Sequence, residues 1–432
     1  MKKLLVLILA MLFVGVGIAS AASTLTMSGD YYVKGTWYDN MAGTASQEPK
    51  ESFGQYDHEM TLNMVFAMTP YTKVAAKLEL RDEIWGVSTA QDGGYTETRT
   101  GLNPQGNIYV EELYGQHTFM NHHTFTAGLV KTSTWASDFD NNKVEAFRLQ
   151  YGLPTPIGYA IFFTEKNQAS ATSTPETLVT DADTDTYWAS LITKIGSVNV
   201  LPGFAYVDAE GSTPGVFASD FSVFKFDLGL NGTMNNIGWE AELLYIDYNY
   251  DNESAGAAVF AATGGADYAT QGAYFHAWTQ MDALKLGGYV AYGSYEEDVN
   301  KGFAFGTEFD GNDELMPGRT MLLGDEVTFV SGTISSATML ALYGTYNINE
   351  KASVTLFGAY LDSNVENLNA AVANRRWEGA DAMEFNIIGQ YKITPLLTYA
   401  AGAAWAEVGY GDGVTADPDA AIEISHMLSF NF

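Results

Sequence analysis

Few residues in this chain have the types and spacing that bond-making chemistry needs. Asp138-Phe139-Asp140-Asn141-Asn142 and Asp181-Ala182-Asp183-Thr184-Asp185 present oxygen ligands at alternating positions, as a calcium loop begins. Such a loop requires a bidentate glutamate at its twelfth position. Leu149 and Ile192 stand there instead, and the first run also lacks the central glycine. Both runs read as solvated acidic loops, with weak divalent-ion binding near lipopolysaccharide as the functional remainder. His117, His122 and His123 surround one turn. Tetrahedral zinc would want further ligands, and no serine lies near enough in sequence to make a histidine–serine hydrolase. They read as a polar turn. Cysteine is absent, which removes disulfides, thiolate metal sites, c-type haem attachment and cysteine nucleophiles together. No phosphate loop or dinucleotide fingerprint occurs. The expectation is no catalytic residue, no cofactor and no metal site, so the chain reads as a non-enzyme.

The charged residues that do stand out belong to an alternating pattern. Between Lys73 and Glu83, Lys73, Lys77, Glu79, Arg81 and Glu83 fall on one face, against Val74, Ala76, Leu78 and Leu80 on the other. Lys34 and Arg148 fall on the polar faces of two further segments. A strand alternates its side chains between two sides. If the apolar side meets lipid, these seven residues line an interior. Charged rings at a constriction set pore selectivity, and two loops could supply an acidic side opposite the basic wall. Residues 130–142 contain Asp138 and Asp140. Residues 296–335 contain Glu296, Glu297, Asp298, Glu308, Asp310, Asp313, Glu314, Asp325 and Glu326 against only Lys301 and Arg319. A connection of that length exceeds ordinary loops and is commonly functional. An extracellular cap at a trimer surface is the equal alternative.

The elements that must position these residues are strands. Leu25, Met27, Tyr31, Val33 and Trp37 alternate with Thr26, Ser28, Asp30, Lys34 and Thr36. At the end of the chain Ile422, Ile424, Leu428, Phe430 and Phe432 share a face on which His426 is the polar intruder, while Glu423, Ser425, Met427, Ser429 and Asn431 share the other. Aromatic residues near segment ends (Trp37, Tyr38, Trp85, Tyr151, Tyr159, Trp188, Trp239, Trp278, Trp405) fit two interfacial girdles. Eight short turns, at 69–72, 120–123, 153–156, 196–197, 231–236, 281–283, 347–350 and 392–395, carry the proline, glycine and asparagine that tight turns use. Nine longer polar stretches lie between them, which predicts 18 strands, with 16 as the alternative if one hairpin is miscounted. The fold class is an all-β, antiparallel transmembrane β-barrel with short periplasmic turns and long extracellular loops, set against a soluble sandwich that would bury its apolar faces instead.

The chain begins Met1-Lys2-Lys3, runs apolar from Leu4 to Ile18 and continues Ala19-Ser20-Ala21-Ala22. That is the pattern of a secretory signal peptide, cleaved near Ala22, with one barrel domain expected over 23–432. Without Lys2 and Lys3, 19 basic residues stand against 52 acidic ones, a net charge of −33. Such acidity repels phosphates and excludes a nucleic-acid partner. A hydrophobic content of 47% and an aromatic content of 13% exclude an acidic disordered chain. No later segment has the roughly 20 apolar residues of a spanning helix.

The terminal Ser429-Phe430-Asn431-Phe432 resembles the signature read by the outer-membrane barrel-assembly machinery, with Phe432 as the assembly signal. Trp135-Ala136-Ser137-Asp138-Phe139-Asp140-Asn141-Asn142-Lys143, then Tyr151-Gly152-Leu153-Pro154-Thr155-Pro156-Ile157-Gly158, resemble the porins of sulfate-reducing and related deltaproteobacteria. Gly324-Asp325-Glu326-Val327 does so too. The resemblance implies a Gram-negative outer-membrane porin, trimeric like its relatives, surrounded by lipid and lipopolysaccharide. Two functions follow. One is a water-filled, cation-preferring channel for small hydrophilic solutes and ions. The other is a scaffold that sheathes a partner such as an electron-transfer cytochrome, or a surface structural protein. A sugar-specific channel would be a subtype of the first.

Overall fold

The computed structural model describes residues 23–39, 52–84, 108–119, 122–131, 135–137, 139, 145–168, 183–209, 221–250, 267–296, 301–303, 305, 315–323, 334, 336–364, 380–410 and 420–432. Residues 1–22, expected to be a leader, and Trp85 lie outside them. The strands in chain order begin with β1 (Thr24–Asp39), β2 (Phe53–Thr69), β3 (Thr72–Ile84), β4 (Ile108–Thr118) and β5 (Thr124–Lys131). Next are β6 (Glu145–Thr155), β7 (Gly158–Gln168), β8 (Asp183–Ile195), β9 (Val198–Ala209) and β10 (Phe221–Met234). Then come β11 (Ile237–Tyr250), β12 (Tyr268–Met281), β13 (Leu284–Gly293), β14 (Tyr295–Glu296) and β15 (Lys301–Gly302). The last are β16 (Ala337–Asn347), β17 (Ala352–Ser363), β18 (Ala380–Thr394), β19 (Leu397–Tyr410) and β20 (Ala421–Asn431).

All but β14 and β15 join one 18-stranded antiparallel sheet in which each strand pairs with its chain neighbours. The ring closes where β1 pairs with both β2 and β20. Closure leaves no unpaired backbone edge, which is the condition for crossing lipid with strands. The seam ends on Phe432: its backbone N–H and C=O exchange hydrogen bonds of 2.9 Å with Gly29. The Phe432 ring lies over Gly29, where an added Cβ would meet it at 2.7 Å. β14 and β15 form a small hairpin inside the longest connection.

The alternation predicted from sequence sets the two sides of the wall. Large apolar side chains face outward and are exposed: Leu342 is 64% exposed, Leu356 60% and Phe385 57%. Inward residues of the same strands, Ala341, Phe357 and Glu384, are buried. Such a surface is stable only against lipid. The aromatic set divides between the two sides. Trp37 and Tyr151 are exposed on the outer surface, and Trp239 and Trp405 share the outward parity. Tyr38, Tyr159, Trp188 and Trp278 turn inward, a correction to the girdle expectation. Trp37 and Tyr38 are adjacent in one strand, so the pleat sends them to opposite sides.

Candidate functional site: the barrel interior

Along β1 to β7 the inner wall is charged. Lys34 and Glu79 are buried against it, and Thr36 and Thr61 lie beside them. Lys77 Nζ lies 2.5 Å from Glu111 Oε2, and Lys131 Nζ lies 2.7 Å from Glu111 Oε1. Glu59 accepts hydrogen bonds from Thr61 Oγ1 at 3.1 Å and Tyr32 OH at 3.4 Å. Arg148 Nε donates to Glu165 Oε1 at 2.7 Å, and its guanidinium carbon sits 4.0 Å from the Phe163 ring centre. Glu111 reaches the interior through a bulge: the ladder steps from Lys77↔Glu112 to Leu78↔Val110, so Glu111 is the extra residue.

Along β8 to β20 the interior is filled by the chain itself. Trp135 Nε1 donates to Leu201 O at 2.8 Å, and its ring meets Trp188 edge-on at 5.6 Å. Ser137 Oγ donates to the buried Glu242 carboxylate. Phe139 is fully buried, with its ring 5.6 Å from Tyr274, 5.2 Å from Phe303 and 5.0 Å from Phe305. These rings fit because the wall is bare there: a Cβ on Gly272 would meet Phe303 at 2.6 Å and Phe139 at 2.9 Å. Phe303 is fixed by its N–H to Ser294 O and by Ser336 N–H to its own carbonyl, both 2.9 Å. Leu315, Met321, Leu322 and Leu323 are buried against the inner face. Below them His276 is held between Glu240 (Nδ1 to Oε1, 3.0 Å) and Tyr343 (Nε2 to OH, 3.0 Å).

The interior is therefore lopsided: an apolar filling on one side, a charged wall on the other. Both long loops singled out in the sequence place described residues inside: Ser137 and Phe139 from the first, and Phe303, Phe305, Leu315, Met321, Leu322 and Leu323 from the second. For these described residues the arrangement is the inward-folded one rather than an extracellular cap. The predicted wall residues Lys34, Lys77, Glu79 and Arg148 face inward, and Lys73 shares their parity by register. Arg81 and Glu83 lie on β3, but their side chains are outside the described residues, as are Asp138, Asp140, Glu308, Asp310, Asp313, Glu314, Asp325 and Glu326. Sequence reading missed Glu59, Glu111, Lys131, Glu165, Glu242, His276 and Glu384. Each is a polar residue at an inward parity or in a bulge, and only the cross-strand register shows which partners it meets. His117 Nδ1 pairs with Thr72 Oγ1 at 2.8 Å and His123 Nδ1 with Tyr151 OH at 2.5 Å, turn contacts as expected. Among the described residues no group of metal-binding side chains assembles.

No protein-family model matches the sequence, and no curated protein matches it. Solved structures do resemble it. OccK8 (OprE) of Pseudomonas aeruginosa aligns with a TM-score of 0.53 at 9% identity, covering 94% of this chain and 98% of that one. OccK9 (OpdG) of the same organism gives 0.53 at 10% identity, again over 94% and 98%. OpdK of Pseudomonas aeruginosa with vanillate gives 0.52 at 8% identity over 94% and 98%. At these identities the likeness is one of fold: the chain has the closed barrel of outer-membrane proteins.

Proposed function

We propose that the chain is an outer-membrane porin: a water-filled channel for passive diffusion of small hydrophilic solutes and ions, preferring cations. The observation that carries this reading is the charged inner wall of β1 to β7 inside a barrel that is apolar outside. A barrel of this strand number encloses water unless something fills it, and on this side the described wall is built of residues that need water or ions as neighbours. Acidic side chains focus counter-ions at a mouth, and the mature net charge of −33 favours potassium over chloride. Export through the leader at 1–22, assembly through Phe432, a homotrimer set in lipid and lipopolysaccharide, and the tie to deltaproteobacterial porins belong to the same proposal. The scaffold alternative loses ground because the chain's own segments occupy the space along β8 to β20 that a sheathed partner would need.

Liposome swelling tests the reading. Vesicles carrying the refolded protein are expected to swell in small sugars and amino acids, with rates falling as solute size rises. Swelling no faster than in empty vesicles would overturn it.

A further inference from the structure

The segment that fills the barrel has a shape of its own. Pro317-Gly318 are the second and third residues of a turn in which Gly318 takes φ +85°, as a type II turn requires at that position. Gly318 rests on the Tyr343 ring, which an added Cβ would meet at 3.1 Å. The next residue, Arg319, lies over the Tyr289 ring at 5.8 Å.

What holds the chain after that turn is one side chain. Glu384, inward on β18 and fully buried, accepts the backbone N–H of three successive residues: Met321 to Oε1 at 2.7 Å, Leu322 to Oε2 at 3.1 Å and Leu323 to Oε2 at 2.8 Å. Asn386 Nδ2 adds 2.8 Å to Glu384 Oε1 and also reaches Arg319 O at 2.9 Å. Consecutive N–H groups converging on one anion form a concave nest, and hydrogen bonds to a charged acceptor are the strong ones. Here the protein's own wall provides the anion, and the segment provides the nest. The apolar side chains of Met321, Leu322 and Leu323 alone would hold the segment only loosely in register, because burial is not directional. The carboxylate fixes its height and orientation.

We propose that Glu384 is the positioning residue of the constriction: its buried carboxylate clasps the backbone of 321–323, keeps Arg319 on the tyrosine wall and so sets the bore of the channel. The consequence for bore rests on the porin reading; the clasp itself does not. Two measurements keep them apart. Amide hydrogen exchange of the refolded barrel in detergent micelles reads the clasp alone. In Glu384→Ala the Met321–Leu323 amides are expected to exchange at least about tenfold faster, given that several charge-assisted hydrogen bonds are lost, while β1 and β20 amides stay unchanged. Glu384→Gln, which keeps one uncharged acceptor oxygen and replaces the other with an NH2 donor, is expected to fall between. Heat-modifiable gel mobility confirms that each variant is a folded barrel. Single-channel conductance then reads the bore: larger or flickering openings in Glu384→Ala than in the wild type. Unchanged exchange at 321–323 overturns the clasp. Faster exchange with unchanged conductance overturns its role in the bore. Faster exchange in a barrel silent in both forms removes the porin reading and the bore with it, and leaves the clasp standing.

Discussion

Glu111 shows how one residue can govern this interior. It bridges Lys77 and Lys131 at 2.5 and 2.7 Å, and its neutralisation leaves two ammonium groups on the wall without their carboxylate. Glu111→Gln is expected to move the reversal potential in a salt gradient toward anions, with a stability loss of about 1–2 kcal/mol because the pair keeps some contact with water. A reversal potential equal to that of the wild type would place the ion path elsewhere. Glu111 was not legible in the sequence. Alternation assigns sides only while the two-residue period holds, and the bulge at Glu111 on β4 breaks it there. Lys34, Lys77 and Glu79 sit in unbroken alternation, and their side could be read directly. Tyr38 was misread because its aromatic type outweighed its position next to Trp37.

At the scale of elements, the outer wall and the inserted segments make different demands. Leu342 on β16 is 64% exposed at mid-strand. Leu342→Arg is expected to cost about 2–4 kcal/mol in denaturant unfolding from vesicles, the charge of a midplane arginine facing lipid. A negligible cost would mean that this position faces water, and that the register is reversed. Gly272 tests the inner side. Gly272→Leu would drive a side chain into Phe303 and Phe139, where even a Cβ comes within 2.6 and 2.9 Å. The expected loss is about 1–3 kcal/mol from overpacking, with faster hydrogen exchange near Phe303. The existence of strands and turns was plain in the sequence because hairpins repeat with proline, glycine and asparagine between them. For the 296–335 loop, insertion was left even with an extracellular cap. Burial of Phe139 depends on bare glycine wall at Gly272 of β12, far away in sequence, and burial of Leu322 goes with its N–H on Glu384 of β18.

At the scale of the molecule, the strand count, the closure at Phe432 and the lipid-facing surface together make a barrel whose interior is split between an apolar filling and a charged wall. The lipid-facing half of that description followed from period-two patterning. The filling did not, since it arises from tertiary contacts between loops and wall. The measurement that tests the central claim most directly is single-channel recording of the refolded protein in planar bilayers under a potassium chloride gradient. Stepwise openings, in threes for a trimer, with a reversal potential favouring potassium are the predicted result. A folded barrel that passes no current would contradict the channel, and a current with no preference for potassium would contradict the role given to its acidic charge.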